Sequence, residues 1–384
     1  MLRVHGTFSP DGIIEIESDR MTNTPCWDNL RIRGFRGLKD LTLDDLGAFN
    51  ILVGANDVGK TSILESIFLL SGFANLLLPV KVQNFRSFLV NDISDLSSLF
   101  HRLTVDDPME LVATSSHPLE RRTLTISAPY ESRAAVDATS KRGGNGAGVR
   151  SSSSIPLRSR ALRYDATVQR GEDSEITSSG ALVVKEDTFD STITPESAVD
   201  DIIPARFITV GVQYDSDIIA DVIVNKKSDA LVRYLKIINP RVEAIAADAK
   251  SVYLDIGLKQ MLPLNMFGSG MVRAAYIISL CITGGQRILL VDEIENGLHH
   301  KAIGSLLAVL LRLSREQSIQ IFATTHSWGL LDELGQTLHK DELAEYRATT
   351  NCYALQKDSA GLVRSYRYSY KQYSHALKHG IEVR

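Results

Sequence analysis

The run Gly54-Ala55-Asn56-Asp57-Val58-Gly59-Lys60-Thr61-Ser62 constrains this chain more than any other stretch. It meets the glycine, lysine and hydroxyl positions of GxxxxGK[ST], between the apolar Ile51-Leu52-Val53 and a segment with Ile63, Leu64, Ile67 and Leu70 at helical spacing. Strand, glycine loop and helix in that order let backbone amides curl round a phosphate, with the positive end of the helix pointing at it. The expected cradle is Gly54, Asn56, Gly59 and Ser62. Lys60 is placed to reach the β and γ phosphates of a nucleotide, and Thr61 to offer a hydroxyl to Mg2+.

Two later segments extend this constellation. Ile288-Leu289-Leu290-Val291 reads as a buried strand ending in Asp292-Glu293. Asp292 is suited to holding Mg2+, and Glu293 to accepting a proton from an attacking water. Neighbouring side chains on a strand point to opposite faces, so the two roles require the chain to turn there. Ile319 to Ser327 is a second buried strand, and its end puts His326 where an imidazole can hydrogen-bond a γ phosphate or the attacking water. Phe267-Gly268-Ser269-Gly270-Met271 opens a helix whose free serine hydroxyl forms a second anion site. One chain does not easily wrap both sites round one phosphate, so Ser269 is expected to cap a γ phosphate held by another subunit.

Composition narrows the class further. A chain of 384 residues, 44% hydrophobic and 23% charged, is neither a disulfide-stapled miniprotein nor a wholly disordered chain. With 42 Lys+Arg against 46 Asp+Glu there is no global basic field, so any nucleic-acid contact must be local. Cys26, Cys281 and Cys352 are far apart and follow no metal-ligand or disulfide spacing. No apolar run reaches the roughly 18–20 residues of a membrane helix, and the start lacks a signal-peptide core. The expectation is a cytoplasmic protein with no membrane contact.

Along the chain, residues 28–53 read as two strands and a core strand, and residues 85–130 as a helical excursion followed by strands. Residues 131–170 then carry eight Lys/Arg and three Asp/Glu, while 171–201 carry one and nine. With the Gly/Ser stretch around 141–154, this reads as a flexible charged insertion over 131–204. Strands and helices alternate again from 205, with one helix expected over the stretch that ends at Asn239-Pro240. The resulting division is an N-terminal extension (1–27), an N-terminal lobe with the phosphate loop (28–130), the insertion (131–204) and a C-terminal lobe (205–384). Residues 1–20 look appended to the domain that follows. Asp215-Ser216-Asp217 precedes a helix and reads as an N-cap. In the tail, Tyr366, Tyr368 and Tyr370 alternate as on one strand face, while Tyr373 fits a following helix; interleaved basic residues leave nucleic acid open as a further partner.

Together these motifs resemble the ABC-type ATPases of the RecF, SMC and OLD group, in which two heads sandwich two ATP molecules. RIRGFRGLKDLTLDDLGAFNILVGANDVGKTSILESI is similar to that group's N-terminal lobe, and FGSGM to a degenerate form of its signature loop. VDEIENGLHH and QIFATTHS resemble stand-alone OLD-like ATPases of prokaryotic anti-phage systems. The fold this implies is α/β: an ABC-type P-loop NTPase head with an N-terminal β lobe, an inserted helical or irregular arm and no long coiled coil.

The resemblance implies that Lys60 and Thr61 bind phosphate and Mg2+, that Asp292 supports the metal, that Glu293 activates water and that His326 senses the γ phosphate. Ser269 and Gly270 would act in trans, Arg36 would contact nucleotide, and Gln83 would link Mg2+ to the arm. Glu295 and the pair His299-His300 would sit in a dimer-facing loop. The implied function is Mg-dependent ATP hydrolysis that opens and closes a head-to-tail homodimer, or a higher oligomer of dimers, controlling a partner effector in anti-phage defence. Full-length OLD proteins append a TOPRIM nuclease, but only 58 residues follow His326, so any such nuclease is expected on a separate chain. The alternatives are a RecF-like repair ATPase acting on DNA and a nucleotide-dependent scaffold with little turnover.

Overall fold

The alternation of apolar and polar residues after Asp28 builds a hairpin of β1 (Asn29–Phe35) and β2 (Leu38–Leu43), turning at Arg36-Gly37. The computed structural model describes residues 27–72, 75–131, 160–171, 174–185, 188–194, 201–210, 214–248 and 251–379. The fully buried β3 (Phe49–Gly54) leads through the phosphate loop into α1 (Lys60–Ser71). Every residue of α1 except Thr61 is buried, as a helix between two layers must be. Then come α2 (Leu78–Asn84) and two short 3-10 segments, Ile93–Leu99 and His101–Leu103.

The next five strands are β4 (Met109–Ser116), β5 (Leu119–Glu131), β6 (Arg160–Arg170), β7 (Ser174–Lys185) and β8 (Thr188–Thr194). They continue the first hairpin into a seven-stranded antiparallel sheet of order β2-β1-β4-β5-β6-β7-β8. This corrects the flexible, irregular insertion expected over 131–204, because residues 160–194 supply three of the sheet's strands. Leu162, Tyr164, Ala166 and Val168 alternate into the core, so period-two burial outweighs the polar composition. The Gly/Ser stretch and the N-terminal extension up to Cys26 lie outside the described residues. A buried ion network fastens this sheet to the returning chain. Glu120 accepts from Arg122 (2.5 Å) and Arg170 (2.8 Å), which outweigh its burial and hold its carboxyl below the usual range. Arg170 reaches on to Asp201 (2.5 Å).

After β9 (Ala205–Ile208), the helix expected as one piece is two, α3 (Ser216–Val224) and α4 (Ser228–Ile238). The break has a left-handed residue, Lys226 (φ 57°), and Lys227 turns away to donate to the carbonyls of Ile282 and Thr283. Asp215 caps α3 by accepting from the Asp217 amide at 2.8 Å. A small antiparallel sheet, β10 (Ala244–Ala247), β11 (Val252–Asp255) and β12 (Leu262–Pro263), follows. The remainder runs α5 (Ser269–Thr283), β13 (Ile288–Val291), α6 (His300–Glu316), β14 (Gln320–Thr325) and α7 (Trp328–His339), then β15 (Thr350–Lys357), β16 (Val363–Ser369) and α8 (Tyr370–Lys378).

The central sheet has the order β16-β15-β3-β14-β13-β9, parallel throughout except for the edge strand β16. Its pleat divides the interior. Ile51, Val53, Leu289, Val291 and Ile321 feed a core with the C-terminal helices, while Leu52, Leu290 and Phe322 feed one with α1 and the antiparallel sheet. The molecule is thus an α/β P-loop head with an N-terminal β lobe. Cys281 and Cys352 are buried free thiols, each pushed by burial up to about 12. Tyr373 is buried and Tyr366 exposed, so the tail tyrosines divide between packing and solvent. Among the described residues no helix is long and apolar enough to cross a membrane.

Candidate active site

The C-terminal ends of β3, β13 and β14 meet at one edge of the central sheet, where open α/β sheets bind ligands. At the end of β3, Gly54 has φ 154°, and a Cβ there would lie 2.6 Å from the Leu355 carbonyl oxygen, so only glycine lets the loop leave this strand. Lys60 Nζ curls back to donate to the carbonyls of Gly54 (2.8 Å) and Ala55 (2.9 Å). Burial lowers the affinity of its amine for a proton, against the opposing pull of Asp292, Glu293, Glu295 and Asp57. Thr61 Oγ1 lies 3.1 and 3.0 Å from the two carboxylate oxygens of Asp292, across 231 residues of chain. A hydroxyl and a carboxylate converging in this way are the hard oxygen ligands that Mg2+ takes, so the residues present fit that ion.

The chain does turn after Asp292. Glu293 has φ 46°, which brings both acids to the wall of a cleft of about 690 Å³, with Asn56, Asp57, Gly59, Lys60, Thr61 and Ser62 opposite. Thr324 fixes this turn. Its hydroxyl donates to Asp292 Oδ1 (2.5 Å) and accepts from the Glu293 amide (2.8 Å). Arg273, one turn into α5 and only 1% exposed, donates to the carbonyl oxygens of both Asp292 (2.7 Å) and Glu293 (3.0 Å). Sequence reasoning missed both residues. Thr324 stood inside a motif read for its histidine, and Arg273 inside a helix read for the serine at its start.

Arg36 lines the cleft, but its guanidinium is already engaged: Nε pairs with the fully buried Glu65 (2.6 Å) and Nη2 donates to Gln83 (3.0 Å). Burial pulls Arg36 down to about 10 despite Glu65. Arg86, also unmarked by sequence, grips the same carboxylate through Nε (2.7 Å) and Nη2 (3.0 Å) and also lines the cleft. Gln83 is placed behind Arg36. Its amide donates to the Asp95 carbonyl (2.8 Å) and Ser98 Oγ (2.5 Å), its carbonyl accepts from Arg36, and it is 1% exposed and absent from the cleft wall. In this structure its carbonyl oxygen is turned to Arg36, and Gln83 is not part of the cleft wall that holds Thr61 and Asp292.

Ser269 and Gly270 stand elsewhere. Gly268, with φ 85°, is the N-cap of α5, so Ser269 is the first helical residue and is exposed, outside the cleft of its own chain. Gly270 packs against the loop after β13: a Cβ there would meet the Gly297 carbonyl oxygen at 2.4 Å. His326 borders a smaller hollow of about 210 Å³ on the other side of the phosphate loop, with Gly54, Ala55 and Asn56. Its Nδ1 lies 3.9 Å from Glu293 Oε1 and 3.6 Å from Glu295 Oε1. His299 precedes α6 and His300 begins it, and among the described residues no group of three His, Cys, Asp or Glu side chains is arranged to hold a metal.

Residues 49–332 match the family model described as "AAA domain, putative AbiEii toxin, Type IV TA system". The chain is 21% identical over 365 residues to an "ATP/GTP phosphatase" of Helicobacter pylori, an alignment that covers 86% of this chain and 92% of that protein. Among solved structures, the Smc head domain of Pyrococcus furiosus, with an extended coiled coil and bound to the C-terminal domain of ScpA, aligns at TM-score 0.49. It is 11% identical, with 94% of this chain and 100% of that chain covered. An Smc head bound to the C-winged helix domain of ScpA aligns at 0.48 with 13% identity, over 92% of this chain and 100% of that one. The match over most of the length, with a phosphate loop facing an Asp-Glu strand end, makes the chain an ATPase that belongs to the AAA-domain family described as "putative AbiEii toxin, Type IV TA system".

Proposed function

We propose that this ATPase binds ATP with Mg2+ in the cleft beneath the phosphate loop, and that binding and hydrolysis close and open a head-to-tail dimer that controls a partner effector. The observation that carries the reading is a separation. Lys60, Thr61, Asp292 and Glu293 share one cleft, whereas Ser269, the second anion-binding element, is exposed outside it. A serine at a helix N-terminus is made for an anion, and a second copy would bring one to it.

In the proposed reaction, Gly54 to Ser62 hold the triphosphate, and Lys60 leaves the carbonyls of Gly54 and Ala55 for the β and γ phosphates. Thr61 and Asp292 would hold Mg2+, which when bound would neutralise phosphate charge. Water attacks the γ phosphorus and gives a proton to Glu293, and the bond to the β–γ bridging oxygen breaks to release ADP and phosphate. His326 approaches from the other side of the loop and accepts a hydrogen bond from the second proton of that water. The effector reading draws on the resemblance to OLD-like defence ATPases, and a toxin of a toxin–antitoxin system is in keeping with an ATPase that works beside a partner.

The composite site is tested by mixing two inactive proteins. Lys60→Met and Ser269→Arg are each expected to lose turnover. In the mixed dimer, the lysine of one chain and the serine of the other restore one intact site, so the mixture regains up to about a quarter of wild-type activity on random pairing. A mixture as inactive as its components sinks the trans contact.

Thr324→Val keeps shape but removes the hydroxyl that joins Asp292 to the Glu293 amide. The expected result is a fall in kcat of about 10- to 100-fold, as for loss of a group that orients a catalytic one. Steady-state phosphate release checks this, and an unchanged kcat contradicts it.

A further inference from the structure

We infer that Glu295 is a positioning residue that holds the His326 ring in its Nδ1–H tautomer and so aims Nε2 at the phosphate side of the site. The inference rests on the reading of His326 as a group that hydrogen-bonds the attacking water, and extends it to the group that orients the ring.

His326 sits between two carboxylates that differ in their freedom. The Glu293 side chain is 39% exposed and borders the cleft, where a group that takes up a proton must be. The Glu295 side chain is 13% exposed and already tied to the residues on which the histidine is mounted. Its Oε1 accepts from Thr325 Oγ1 (2.7 Å) and from the His326 amide (3.3 Å). Thr325 Oγ1 in turn accepts from the Ser327 amide (2.9 Å), so one carboxylate organises the chain from Thr325 to Ser327. The Nδ1 of His326 approaches the same Oε1 to 3.6 Å.

The remaining oxygen points to what is missing. Glu295 Oε2 is buried and has no hydrogen-bond partner, and a buried acceptor left in that state costs free energy that a nearby donor recovers. The nearest ring donor is the imidazole Nδ1–H, whose nitrogen lies 3.6 Å from the other oxygen of that carboxylate. A neutral imidazole carries one proton, and the hydrogen bond made by one nitrogen decides what the other presents. With the proton held on Nδ1 by Glu295, Nε2 is left as an acceptor, suited to a proton of the attacking water. Without Glu295 the ring reverts to the Nε2–H form that a free neutral imidazole favours.

The test uses the full chain labelled with 15N-histidine, and His326 is assigned by the signal lost in His326→Gln. In the nucleotide-free protein, the neutral ring is expected as Nδ1–H in the wild type and in Glu295→Gln, which keeps an acceptor, but as Nε2–H in Glu295→Ala. Turnover should follow the tautomer: kcat of Glu295→Ala falls on the order of 10- to 100-fold. KM for ATP stays within about twofold, since Glu295 is not among the residues proposed to hold the nucleotide. Glu295→Gln recovers most of kcat. Glu295→Met, which keeps the volume, serves the same comparison if the alanine chain does not fold. An unchanged tautomer in the alanine or methionine chain, or a kcat loss that Glu295→Gln does not recover, overturns the assignment of Glu295. Full turnover in His326→Gln instead overturns the role of His326 on which it rests, so the two failures are told apart.

Discussion

Glu293→Gln is expected to lower kcat by about 10²–10⁴-fold, the range for loss of a positioned general base, while ATP still binds. The change is nearly isosteric, and the backbone that aims residue 293 is held from outside the side chain, by Thr324 at its amide and Arg273 at its carbonyl. Lys60, Thr61 and Asp292 remain in place, so the phosphate loop and the metal oxygens are untouched. A chain that binds but cannot hydrolyse collects in the closed state, and light scattering coupled to gel filtration should show a dimer with ATP and Mg2+ and a smaller species without them. A variant that turns over at the wild-type rate contradicts the general-base role. One that binds ATP yet never dimerises contradicts the closed dimer.

Lys60→Met is expected to separate binding from stability. Losing one partner of a desolvated charge contact costs about 2–5 kcal/mol, which is roughly 30- to 5,000-fold in affinity for ATP. The apo protein should not suffer. Burial lowers the proton affinity of Lys60 below that of a lysine in the unfolded chain, so its charge opposes folding at neutral pH. That penalty fades only as pH rises towards the pKa of the unfolded group, because over that window the unfolded state holds the extra proton. Removing the amine at neutral pH therefore leaves the apo melting temperature equal or higher, while the stabilisation by ATP disappears. A lower apo melting temperature would mean that the bonds to the carbonyls of Gly54 and Ala55 outweigh the desolvation.

What could be read in advance divides by the distance over which each residue acts. Gly54 to Ser62, Asp292-Glu293 and Ser269-Gly270 announce themselves through neighbours a few positions away, because strand, loop and helix must follow at once. Glu65, Arg86, Arg273 and Thr324 are ordinary residues in sequence and acquire their places by contacts between separate elements. Gln83 gives no local sign of the contacts with Arg36, Asp95 and Ser98 that take up its amide group, because those partners lie on other elements. The strands of residues 160–194 were hidden by averaging. Charge counted over 30 or 40 residues swamps an alternation such as Leu162, Tyr164, Ala166 and Val168, which repeats every second residue and alone decides which face is buried.

The pairing of β5 with β6 also bears on how such a head can change over evolutionary time. Glu131 and Arg160 are partners across the ladder, so the two ends that a connecting segment must join are adjacent. Closing a loop between adjacent ends costs an entropy that grows only with the logarithm of its length, about 0.6 kcal/mol for each doubling. Segments of very different size can therefore be exchanged at this junction with the register of all seven strands, and the nucleotide site beyond them, left as they are.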